Sequence, residues 1–452
     1  MSARASRPST PSASPRSPAA ETAKQPHLRE ETQVEQTEQS NWIEKGPGFG
    51  AGLSGLREAL GIKTASAGLV AAIFGCSGPA LIVIGAANNG GLTEGQTVAW
   101  LLAIYGLGGL ISLIMALYYK LPVTGAYSIP GAALVAGALG TFPFEQAVGA
   151  FLMAGAMVFV LGITGLIGKV MRWLPMPIVM AMIAGALIRF GIGAVTSIEK
   201  LPIVVGAATV AFFLSMRFLR AVPPVLTALV VGLVAVTLTG GFQGGEAAIS
   251  FVAPEFTTPV FTVDAFLAIA VPLAVLVIGA ENAQAIGVLY AEGYRPPINA
   301  MTVISGIGGM LAGLIGGHNA NIAGPMTAIC SSDQAGENPD GRYAATVLNG
   351  VLFAAFGVFA GVAVPLIMAL PGPLIGAVAG LAMITVLLSA FQSAFDRNAG
   401  HQIGAFVALI VAMSNVSFLS ISAPFWALVA GAAVSMLNER VVRSKPVATP
   451  AS

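Results

Sequence analysis

The chain has 452 residues, of which 56% are hydrophobic and only 9% are charged, and its mean hydropathy is +0.84. Soluble domains are usually about one quarter charged, so this composition excludes a soluble globular protein and indicates an integral membrane protein. The net charge of +1, with no basic stripe interleaved with aromatic residues, gives no indication of a nucleic-acid partner.

The chain begins with a polar stretch. Residues 1–46 are rich in Ser, Pro, Thr, Arg, Glu and Gln, and we predict that they form a disordered cytoplasmic tail. No apolar core followed by a small-residue cleavage site is present, so a secretory signal is not expected. Residues 47–63 could lie along the membrane surface, and residues 439–452 are predicted to form a C-terminal cytoplasmic tail.

The intervening sequence contains about fourteen apolar segments that could span a bilayer core about 30 Å thick. They are placed near residues 65–87, 96–119, 123–140, 146–168, 175–191, 200–218, 222–240, 264–290, 297–317, 318–332, 343–369, 372–394, 401–417 and 422–438. The third and tenth segments are unusually short. An even number of spans places both termini on one side of the membrane.

The charges of the loops support this count, because basic residues gather on the cytoplasmic side of membrane proteins. With the N-terminus inside, the cytoplasmic loops and ends carry Lys120, Lys169, Arg172, Arg217, Arg220, Arg295, Arg342, Arg397, Arg440, Arg443 and Lys445. The opposite loops carry Glu94, Glu145, Glu246, Glu255 and Asp264, with Lys200 as the main basic exception. Both termini are therefore predicted to be cytoplasmic.

An internal repeat relates residues 64–240 to residues 264–438, with an external loop at 241–263 between them. Three pairs of similar stretches lie about 195 residues apart. They are "ALIVIGAANN" and "AVLVIGAENA", "SIPGA" and "NIAGP", and "LPMPIVMAMIAG" and "LPGPLIGAVAG". Because each repeat has an odd number of spans, the second must be inverted across the membrane. Inverted repeats are typical of secondary transporters, whose substrate sites lie at broken helices near the midplane.

The third and tenth segments are predicted to be these broken helices. In "TGAYSIPGAALVAGALG", Ser128 precedes Ile129 and Pro130 and resembles an N-cap, since Pro suits the first helical turn. In "GGHNANIAGPMTAIC", Asn321 occupies the corresponding position. Each segment is expected to be an extended stretch that enters a half-helix at mid-membrane. The two N-termini would offer free N–H groups, and about half a positive charge each, to an anion or a carbonyl-rich ring.

Several longer motifs occur together: "LPVTGAYSIPGAALVAGAL", "GITGLIGKVMRWLPMPIVMAMIAGALIRFGI", "ENAQAIGVLYAEGYRPP", "GGHNANIAGPMTAIC" and "GRYAATVLNG". In order and spacing they resemble the BenE-type benzoate/proton symporter family. The resemblance implies an all-α polytopic membrane protein with the uracil-transporter-like fold, in two inverted seven-segment repeats. It also implies a core domain (segments one to four and eight to eleven) that moves against a gate domain (five to seven and twelve to fourteen). An inner-membrane location and a homodimer are further expectations.

Two motifs depart from the family pattern. Family members usually have Trp-Ser-Thr-Pro-Gly where this chain has "YSIPG", and Ser-Gln-Asn-x-Pro-Gly where it has "AENAQA". A glutamate at position 281 is more similar to the related nucleobase transporters, in which an eighth-span Glu helps to hold the base. The leading hypothesis is therefore proton-coupled import of benzoate or a related small aromatic carboxylate, and the alternative is import of a nucleobase or another heterocycle.

Glu281 is a charged residue in the weakly polar run "VIGAENAQAIGVLY". A carboxylate at the centre of a span costs about 2.5 to 3.5 kcal/mol on insertion scales unless it faces a cavity, is paired or is protonated. Burial favours the neutral acid, so Glu281 is expected to carry the coupled proton, to bind the substrate, or both. The alternative is a structural carboxyl group that joins two helices through hydrogen bonds.

The other candidate residues lie at or near the two breaks. The residues expected to bind substrate are Tyr127, Ser128, Ile129, Gly131, Glu281, Asn282, Gln284, Asn321, Ile322 and Gly324. Ser128 and Asn321 could instead only cap their half-helices. His318 is a second candidate for proton coupling, although a lone histidine at the aqueous end of a span is more often only solvated or hydrogen-bonded. Arg189 is interpreted as an interfacial residue rather than as a partner of Glu281.

The remaining features favour structural roles. Cys76 and Cys330 lie in apolar segments and are expected to be small buried hydrophobic residues without a disulfide. The run "GIGGMLAGLIGG" predicts close helix packing. No motif of a phosphate loop, a zinc site or a nucleophile elbow is found, so we predict no metal, no cofactor and no enzymatic activity. An anion channel is the less favoured alternative, because broken helices also line ion filters.

Overall fold

The structure, a computed structural model, describes residues 43–76, 78–166, 175–219, 224–239, 251–396, 399–414, 416, 418 and 423–439. The two predicted tails therefore lie almost entirely outside the described residues. The same is true of Lys169, Arg172, Arg220, Glu246, Arg397, Arg440, Arg443 and Lys445.

The first half of the chain is built from helices and one short strand. These elements are α1 (Phe49–Ala59), α2 (Ile62–Cys76), α3 (Gly78–Asn89), α4 (Glu94–Leu101), α5 (Leu107–Tyr119), β1 (Gly125–Ala126), α6 (Ile129–Ala138), α7 (Phe144–Thr164), α8 (Met176–Lys200), α9 (Pro202–Phe218) and α10 (Pro224–Thr239). A π-helical turn, Leu102–Gly106, makes α4 and α5 one continuous rod.

The second half follows the same order. Its elements are α11 (Val263–Ala265), α12 (Val271–Leu276), α13 (Ala283–Ala291), α14 (Ile298–Ile315), β2 (Asn321–Ile322), α15 (Gly324–Ser331), α16 (Tyr343–Val358), α17 (Ala360–Met368), α18 (Gly372–Ala394), α19 (Gln402–Ser414) and α20 (Ala423–Asn438). Two π-helical turns, Phe266–Ala270 and Val277–Asn282, join α11, α12 and α13 into one rod.

The predicted apolar segments coincide with these elements. Among the described residues, 8 helical runs are long and apolar enough to cross a membrane, and shorter apolar helices account for most of the remaining segments. The third and tenth segments are each a strand followed by a short helix, and the eleventh is divided between α16 and α17. The chain is thus a polytopic helical membrane protein, whereas the count of fourteen spans stays a prediction.

The helices pack in two groups. In the first group α7 packs on α14, α16 packs on α2 and α5, and α13 packs on α15. In the second group α8 packs on α18 and α19, α9 on α10, and α19 on α20. The groups meet where α3 contacts α18 and where α6 contacts α8. This grouping agrees with the core and gate domains that the family resemblance implies.

Glycines set the close approach of α7 and α14. A Cβ atom added at Gly306 would lie 2.3 Å from the backbone nitrogen of Phe159, and one at Gly155 would lie 2.4 Å from that of Met310. Such distances are possible only for residues without a side chain, so the two backbones are in direct contact. The close packing predicted from "GIGGMLAGLIGG" is confirmed.

The extended stretches of the two broken segments pair with each other in the protein interior. β1 and β2 are antiparallel, with Gly125 opposite Ile322 and Ala126 opposite Asn321. The Thr124 carbonyl then accepts a hydrogen bond from the Ala323 N–H (2.9 Å). Because water is absent from the bilayer core, non-helical backbone needs protein partners there, and each broken segment provides them for the other.

Loops that the sequence places outside the membrane meet at one end of the helices. The Glu255 N–H donates to the Gly95 carbonyl and the Val260 N–H donates to the Glu145 carbonyl, both at 2.9 Å. Residues 251–262 thus run along the starts of α4 and α7. At the other end of α5, α1 packs against Tyr118 through the Gly48 N–H (3.0 Å). The location of α1 at the membrane surface stays a prediction.

Candidate functional site

The first half-helix, α6, begins directly after β1. Ser128 is its N-cap, and the Ser128 Oγ accepts a hydrogen bond from the Gly131 N–H (3.1 Å). Pro130 occupies the first turn, where the missing N–H is no loss. The capping role predicted for Ser128 is confirmed.

The second half-helix, α15, begins later than the alignment of the repeats predicts. Its N-cap is Ala323, which has no side chain that can accept a hydrogen bond. Asn321 lies instead in β2, and its Nδ2 donates to the Ile322 carbonyl (2.6 Å). The prediction that Asn321 caps the half-helix is wrong. The physical reason is the position of the proline: Pro325 lies two residues further along the repeat than Pro130 does, and it moves the first helical turn with it.

Glu281 provides the missing cap from another helix. It lies in the π-helical turn Val277–Asn282, is only 4% exposed, and its Oε2 accepts from the Gly324 N–H at a long 3.4 Å. The Ser128 side chain and the Ile129 N–H at the start of α6 also lie near this carboxylate. Glu281 thus lies between the N-termini of both half-helices, where the helix dipoles favour negative charge. Within the described part of the chain, it takes part in no salt bridge.

The carboxylate lines a small cavity with apolar and aromatic walls. The lining residues are Phe74, Gly75, Pro79, Ala126, Tyr127, Ile129, Glu281, Ala323, Pro325, Met326 and Phe353. Its volume is about 10 Å³, which is room for one water molecule at most. A ring-sized substrate does not fit, so the central site is closed in this conformation.

Tyr127 lines this cavity, and its hydroxyl is hydrogen-bonded to a neighbouring tyrosine. The Tyr127 hydroxyl lies 2.7 Å from the Tyr105 hydroxyl, which in turn donates to the Gly75 carbonyl (2.7 Å). Because the single Tyr105 proton is used at Gly75, Tyr127 must be the donor to Tyr105. The hydroxyl of Tyr127 is thereby occupied, and its ring remains available for stacking.

His318 is fully buried, so its expected place at the aqueous end of a span is wrong. The extended stretch before β2 runs inward and carries the ring with it. The His318 Nδ1 accepts from the Trp100 indole N–H (2.9 Å), and the Nε2 lies 3.0 Å from the Ser128 carbonyl. An indole can only donate and a carbonyl can only accept, so His318 is the neutral tautomer protonated at Nε2. It positions the backbone just before α6.

Two asparagines hold the extended stretches rather than lining the cavity. The Asn282 Oδ1 accepts from the Ser305 hydroxyl (3.0 Å), whose oxygen accepts from the Ile322 N–H (3.1 Å). The Asn319 Oδ1 accepts from the Ser128 N–H (3.0 Å). Asn282, predicted to contact substrate, is thus turned toward α14 and β2.

Gln284 and Gly131 also lie beside the cavity but not in its lining. Gln284 is exposed, and a Cβ atom at Gly324 would lie 2.5 Å from its Oε1, so the amide packs directly on the first residue of α15. A Cβ atom at Gly131 would lie 2.7 Å from Leu273. The glycine in each half-helix is required for close packing of the neighbouring side chain.

A second and much larger cavity, the vestibule, lies between α3, α6, α8 and α18. Its volume is about 560 Å³. It is lined by Leu81, Ile82, Gly85, Asn88, Asn89, Ala136, Arg189, Phe190, Gly193, Thr196, Ser197, Lys200, Gly372, Pro373, Ile375, Gly376 and Ala379. Arg189 is half-buried, and its Nη2 donates to the Ala133 carbonyl of α6 (2.9 Å). It reaches inward between the two helix groups, and its interpretation as an interfacial residue stays a prediction.

Sequence reasoning missed several residues of the site. Phe74, Met326 and Phe353 line the central cavity, and Thr327 accepts from the Thr124 N–H (3.0 Å) beside the strand pair. Phe74 and Phe353 are apolar residues of long apolar helices, and no local pattern distinguishes them from residues that face lipid. The sequence pattern does indicate Thr327, because it is a polar residue one turn into a half-helix.

Most of the chain is similar to known membrane transporters. Residues 59–437 match the family model BenE, benzoate membrane transport protein. The chain is 30% identical over 371 residues to the inner membrane protein YdcO of Escherichia coli K12, covering 81% of this chain and 94% of that one. It is 27% identical over 379 residues to the benzoate membrane transport protein of Acinetobacter baylyi, covering 84% and 96%.

Solved structures share the fold. The transmembrane domain of the cyanobacterial bicarbonate transporter BicA aligns with a TM-score of 0.54 at 15% identity, over 82% of this chain and 97% of that one. The murine Slc26a9 anion transporter in its inward-facing state aligns with a TM-score of 0.58 at 14% identity, over 85% and 70%. At these identities the likeness concerns the fold alone.

Proposed function

The chain belongs to the BenE family of benzoate membrane transport proteins, and from that membership we propose that it imports benzoate or a related small aromatic carboxylate together with a proton. The relatives are membrane transporters and not enzymes. One observation carries the proposal: the Glu281 carboxylate lies between the N-termini of α6 and α15.

The position of Glu281 couples an anionic substrate to a proton. Backbone N–H groups at the two helix N-termini are the natural partners of a substrate carboxylate. Ionised Glu281 already occupies these donors, and a second carboxylate beside it would be repelled. A substrate anion can therefore take this place only when Glu281 is protonated or displaced. Substrate and proton bind together and are released together.

The walls of the site suit an aromatic ring. Phe74, Tyr127 and Phe353 line the same cavity as the carboxylate, and the Tyr127 hydroxyl is hydrogen-bonded to Tyr105. Offset or edge-to-face contacts between such rings add about 0.5 to 1.5 kcal/mol beyond burial. An apolar ring with a single carboxylate matches this arrangement of aromatic walls and two helix N-termini.

Transport then requires that the closed site opens alternately to the two sides of the membrane. The cavity of about 10 Å³ must expand to admit a ring. It lies among residues of the first helix group, next to its contact with the second. Movement of the first helix group against the second would open it. The proposed transporter has fourteen spans, with both termini in the cytoplasm. The inner-membrane location agrees with the name of the Escherichia coli relative.

A nucleobase or a similar heterocycle is the second candidate. The buried carboxylate of Glu281 accepts a hydrogen bond from the Gly324 N–H and lies near the Ile129 N–H in the closed site. The N–H groups of a heterocyclic ring could replace these donors, and Glu281 would then stay ionised.

Binding and uptake test the two candidates. We expect benzoate to raise the thermal unfolding temperature of the purified protein, with no such effect from uracil or xanthine. In proteoliposomes, an inward proton gradient should accelerate uptake of labelled benzoate. Glu281→Gln should abolish this acceleration while exchange of benzoate across the membrane continues, because glutamine can neither release nor accept the proton.

Glu58→Gln is the matched control, since Glu58 is exposed on α1 and should leave the gradient dependence unchanged. Stabilisation by a nucleobase without stabilisation by any benzoate would reject the carboxylate. An unaltered gradient dependence in Glu281→Gln would reject the role of Glu281 as proton carrier. Large unitary currents would identify a channel instead.

A further inference from the structure

The vestibule has the size of a ligand site, and the charged residues that line it are cationic. Its volume of about 560 Å³ lies within the range of about 300 to 1,000 Å³ that is common for ligand pockets. Its charged lining residues are Arg189 and Lys200, and no carboxylate of the described residues lines it. Asn88, Asn89, Thr196 and Ser197 add hydrogen-bonding groups. The cavity is therefore polar and positively charged.

Five of the α8 residues that line the vestibule follow one face of that helix. Arg189, Gly193, Thr196, Ser197 and Lys200 recur at the spacing of successive helical turns, and all five line the vestibule. Lys200 is exposed at the C-terminal end of α8. Arg189 lies earlier in the same helix, roughly 16 Å from Lys200 along the helix axis. A cation thus lies at each end of this face.

Arg189 has unused hydrogen-bonding capacity. A guanidinium has five N–H donors, and in the described part of the chain Arg189 donates one hydrogen bond, to the Ala133 carbonyl. It takes part in no salt bridge with a described residue. A half-buried charge without a counter-ion is costly inside a membrane protein and marks a ligand or ion pathway more often than a structural position.

Two helices lead from the vestibule to the central cavity. In α6, Ile129 lines the central cavity, Ala133 binds Arg189 and Ala136 lines the vestibule. Ile129 and Ala133 are one helical turn apart, roughly 6 Å along the axis. In α3, Pro79 lines the central cavity and Ile82 lines the vestibule. An anion held at Arg189 is therefore about one turn of α6 away from the donors occupied by Glu281.

We propose that the vestibule is a second, waiting site for the carboxylate, in which Arg189 binds the anion before it moves to the central site. The planar guanidinium can donate two parallel N–H bonds to one carboxylate, and Lys200 attracts anions to the opening. The identity of the anion as an aromatic carboxylate rests on the proposed function. The preference of the cavity for anions does not depend on the proposed function.

A purely structural role for Arg189 makes a different prediction. If Arg189 only ties α6 to α8 through the Ala133 carbonyl, Arg189→Gln and Arg189→Lys should behave alike, because each retains one N–H donor. If Arg189 binds a carboxylate, Arg189→Lys should retain more of the affinity than Arg189→Gln, because lysine keeps the charge although it loses the paired N–H donors. Arg189→Gln should raise the KM for benzoate uptake roughly tenfold or more, with a much smaller effect on the maximal rate.

The matched control is Arg217→Gln. Arg217 is an exposed cation at the end of α9 and does not line the vestibule, so the KM should stay within about twofold. An Arg189→Gln variant with a KM within about twofold of the wild type overturns the proposal. If Arg189→Lys raises the KM as much as Arg189→Gln does, the proposal is also overturned, and Arg189 only ties α6 to α8.

A cysteine at Thr196 tests the vestibule without reference to any substrate. The native thiols of Cys76 and Cys330 are half-buried and buried, so the wild-type chain gives the background rate. Thr196→Cys should react several-fold faster with an anionic thiosulfonate reagent than with a cationic one of the same size, and adding Arg189→Gln should remove this preference. Benzoate should protect the cysteine. An unreactive Thr196→Cys, or one without preference for the anionic reagent, overturns the vestibule as an anion site.

The outcomes separate the two proposals. Anionic preference without protection by benzoate supports the anion site and contradicts the proposed substrate. If benzoate uptake is intact but the cysteine at position 196 shows no preference for the anionic reagent, the proposed function is supported and the waiting site is overturned.

Discussion

At the scale of single residues, Glu281 explains why a charge lies in an apolar helix. The first half-helix has its own cap, Ser128, whereas the second begins after Ala323 and has none. Glu281 supplies an acceptor to the second half-helix and also contacts the first. Its counterpart in the first repeat, Ala87, lies in a regular part of α3. The structural and functional alternatives for Glu281 are therefore compatible, because one carboxylate can hold the closed site together and, in the proposed function, be protonated or displaced when a substrate anion binds.

His318 permits a test of proton coupling at the residue scale. Glutamine can reproduce both hydrogen bonds of the neutral ring, accepting from Trp100 and donating to the Ser128 carbonyl, but it does not titrate. We expect His318→Gln to retain gradient-driven uptake. His318→Leu should lower the thermal unfolding temperature, because each buried polar group left without a partner costs about 1 to 3 kcal/mol.

Uptake is measured as a function of the external pH for both variants and for the wild type. This distinguishes a role of His318 as proton carrier from a role in positioning the backbone before α6. If His318→Gln folds normally but loses its response to the proton gradient, His318 carries the proton as well, and its role is not only to position the backbone before α6.

At the scale of elements, the glycine run predicted close helix packing, but it specified neither the partner helix nor which glycines touch. Gly306 faces the backbone of Phe159, and Gly155 faces that of Met310. The half-helices show the same limit. Their existence followed from Pro and Gly in short segments, whereas the start of α15 differed because Pro325 is displaced relative to Pro130 in the repeat.

Gly306→Ala should destabilise the packing of α7 on α14. The new Cβ atom would lie 2.3 Å from the Phe159 nitrogen, and a backbone atom cannot move away as the end of a side chain can. Overpacking of this kind costs about 1 to 3 kcal/mol, so the unfolding temperature and the yield of folded protein should fall. Size-exclusion chromatography after a temperature series measures this loss.

Gly206→Ala in α9 is the matched control, because nothing lies within 4 Å of the added Cβ atom. It should be neutral or slightly stabilising, since Ala favours a helix over Gly by up to about 1 kcal/mol. Equal stability of the two variants would mean that α7 and α14 separate readily, contrary to the close contact observed here.

At the scale of the whole molecule, the first helix group encloses the closed central cavity, and the larger vestibule lies between the two helix groups. The central cavity of about 10 Å³ and the vestibule of about 560 Å³ have no lining residue in common. The groups meet at the vestibule, where α3 faces α18. This arrangement predicts that the two groups have to separate or slide for a substrate to pass.

A crosslink between the groups tests this movement. A Cβ atom at Gly85 would lie 3.9 Å from the Ile375 Cγ2, so the two positions are in contact across the groups and are the pair chosen for a disulfide. We expect oxidation of Gly85→Cys/Ile375→Cys to stop benzoate uptake and a reductant to restore it. The reduced double variant is the control, and mass spectrometry after proteolysis confirms the bond. Full uptake by the crosslinked protein would show that α3 and α18 do not move apart during transport.

The sequence by itself determined the membrane class, the helical segments, the two broken segments and the family. These depend on local properties: apolar length, the positions of Pro and Gly, and motifs that stand in a fixed order. The same local properties identified Glu281 and Ser128, because a carboxylate in an apolar run and a serine before proline stand out within a few residues.

Only the tertiary structure decided which side chains meet. It placed Glu281 at the start of α15, turned Asn282 toward Ser305, buried His318 against Trp100 and brought Arg189 to α6. These contacts join residues far apart in the chain, and they depend on how each helix is rotated about its axis and shifted against its neighbours. A spacing of 3.6 residues per turn shows which residues share a face, but it does not show what that face meets.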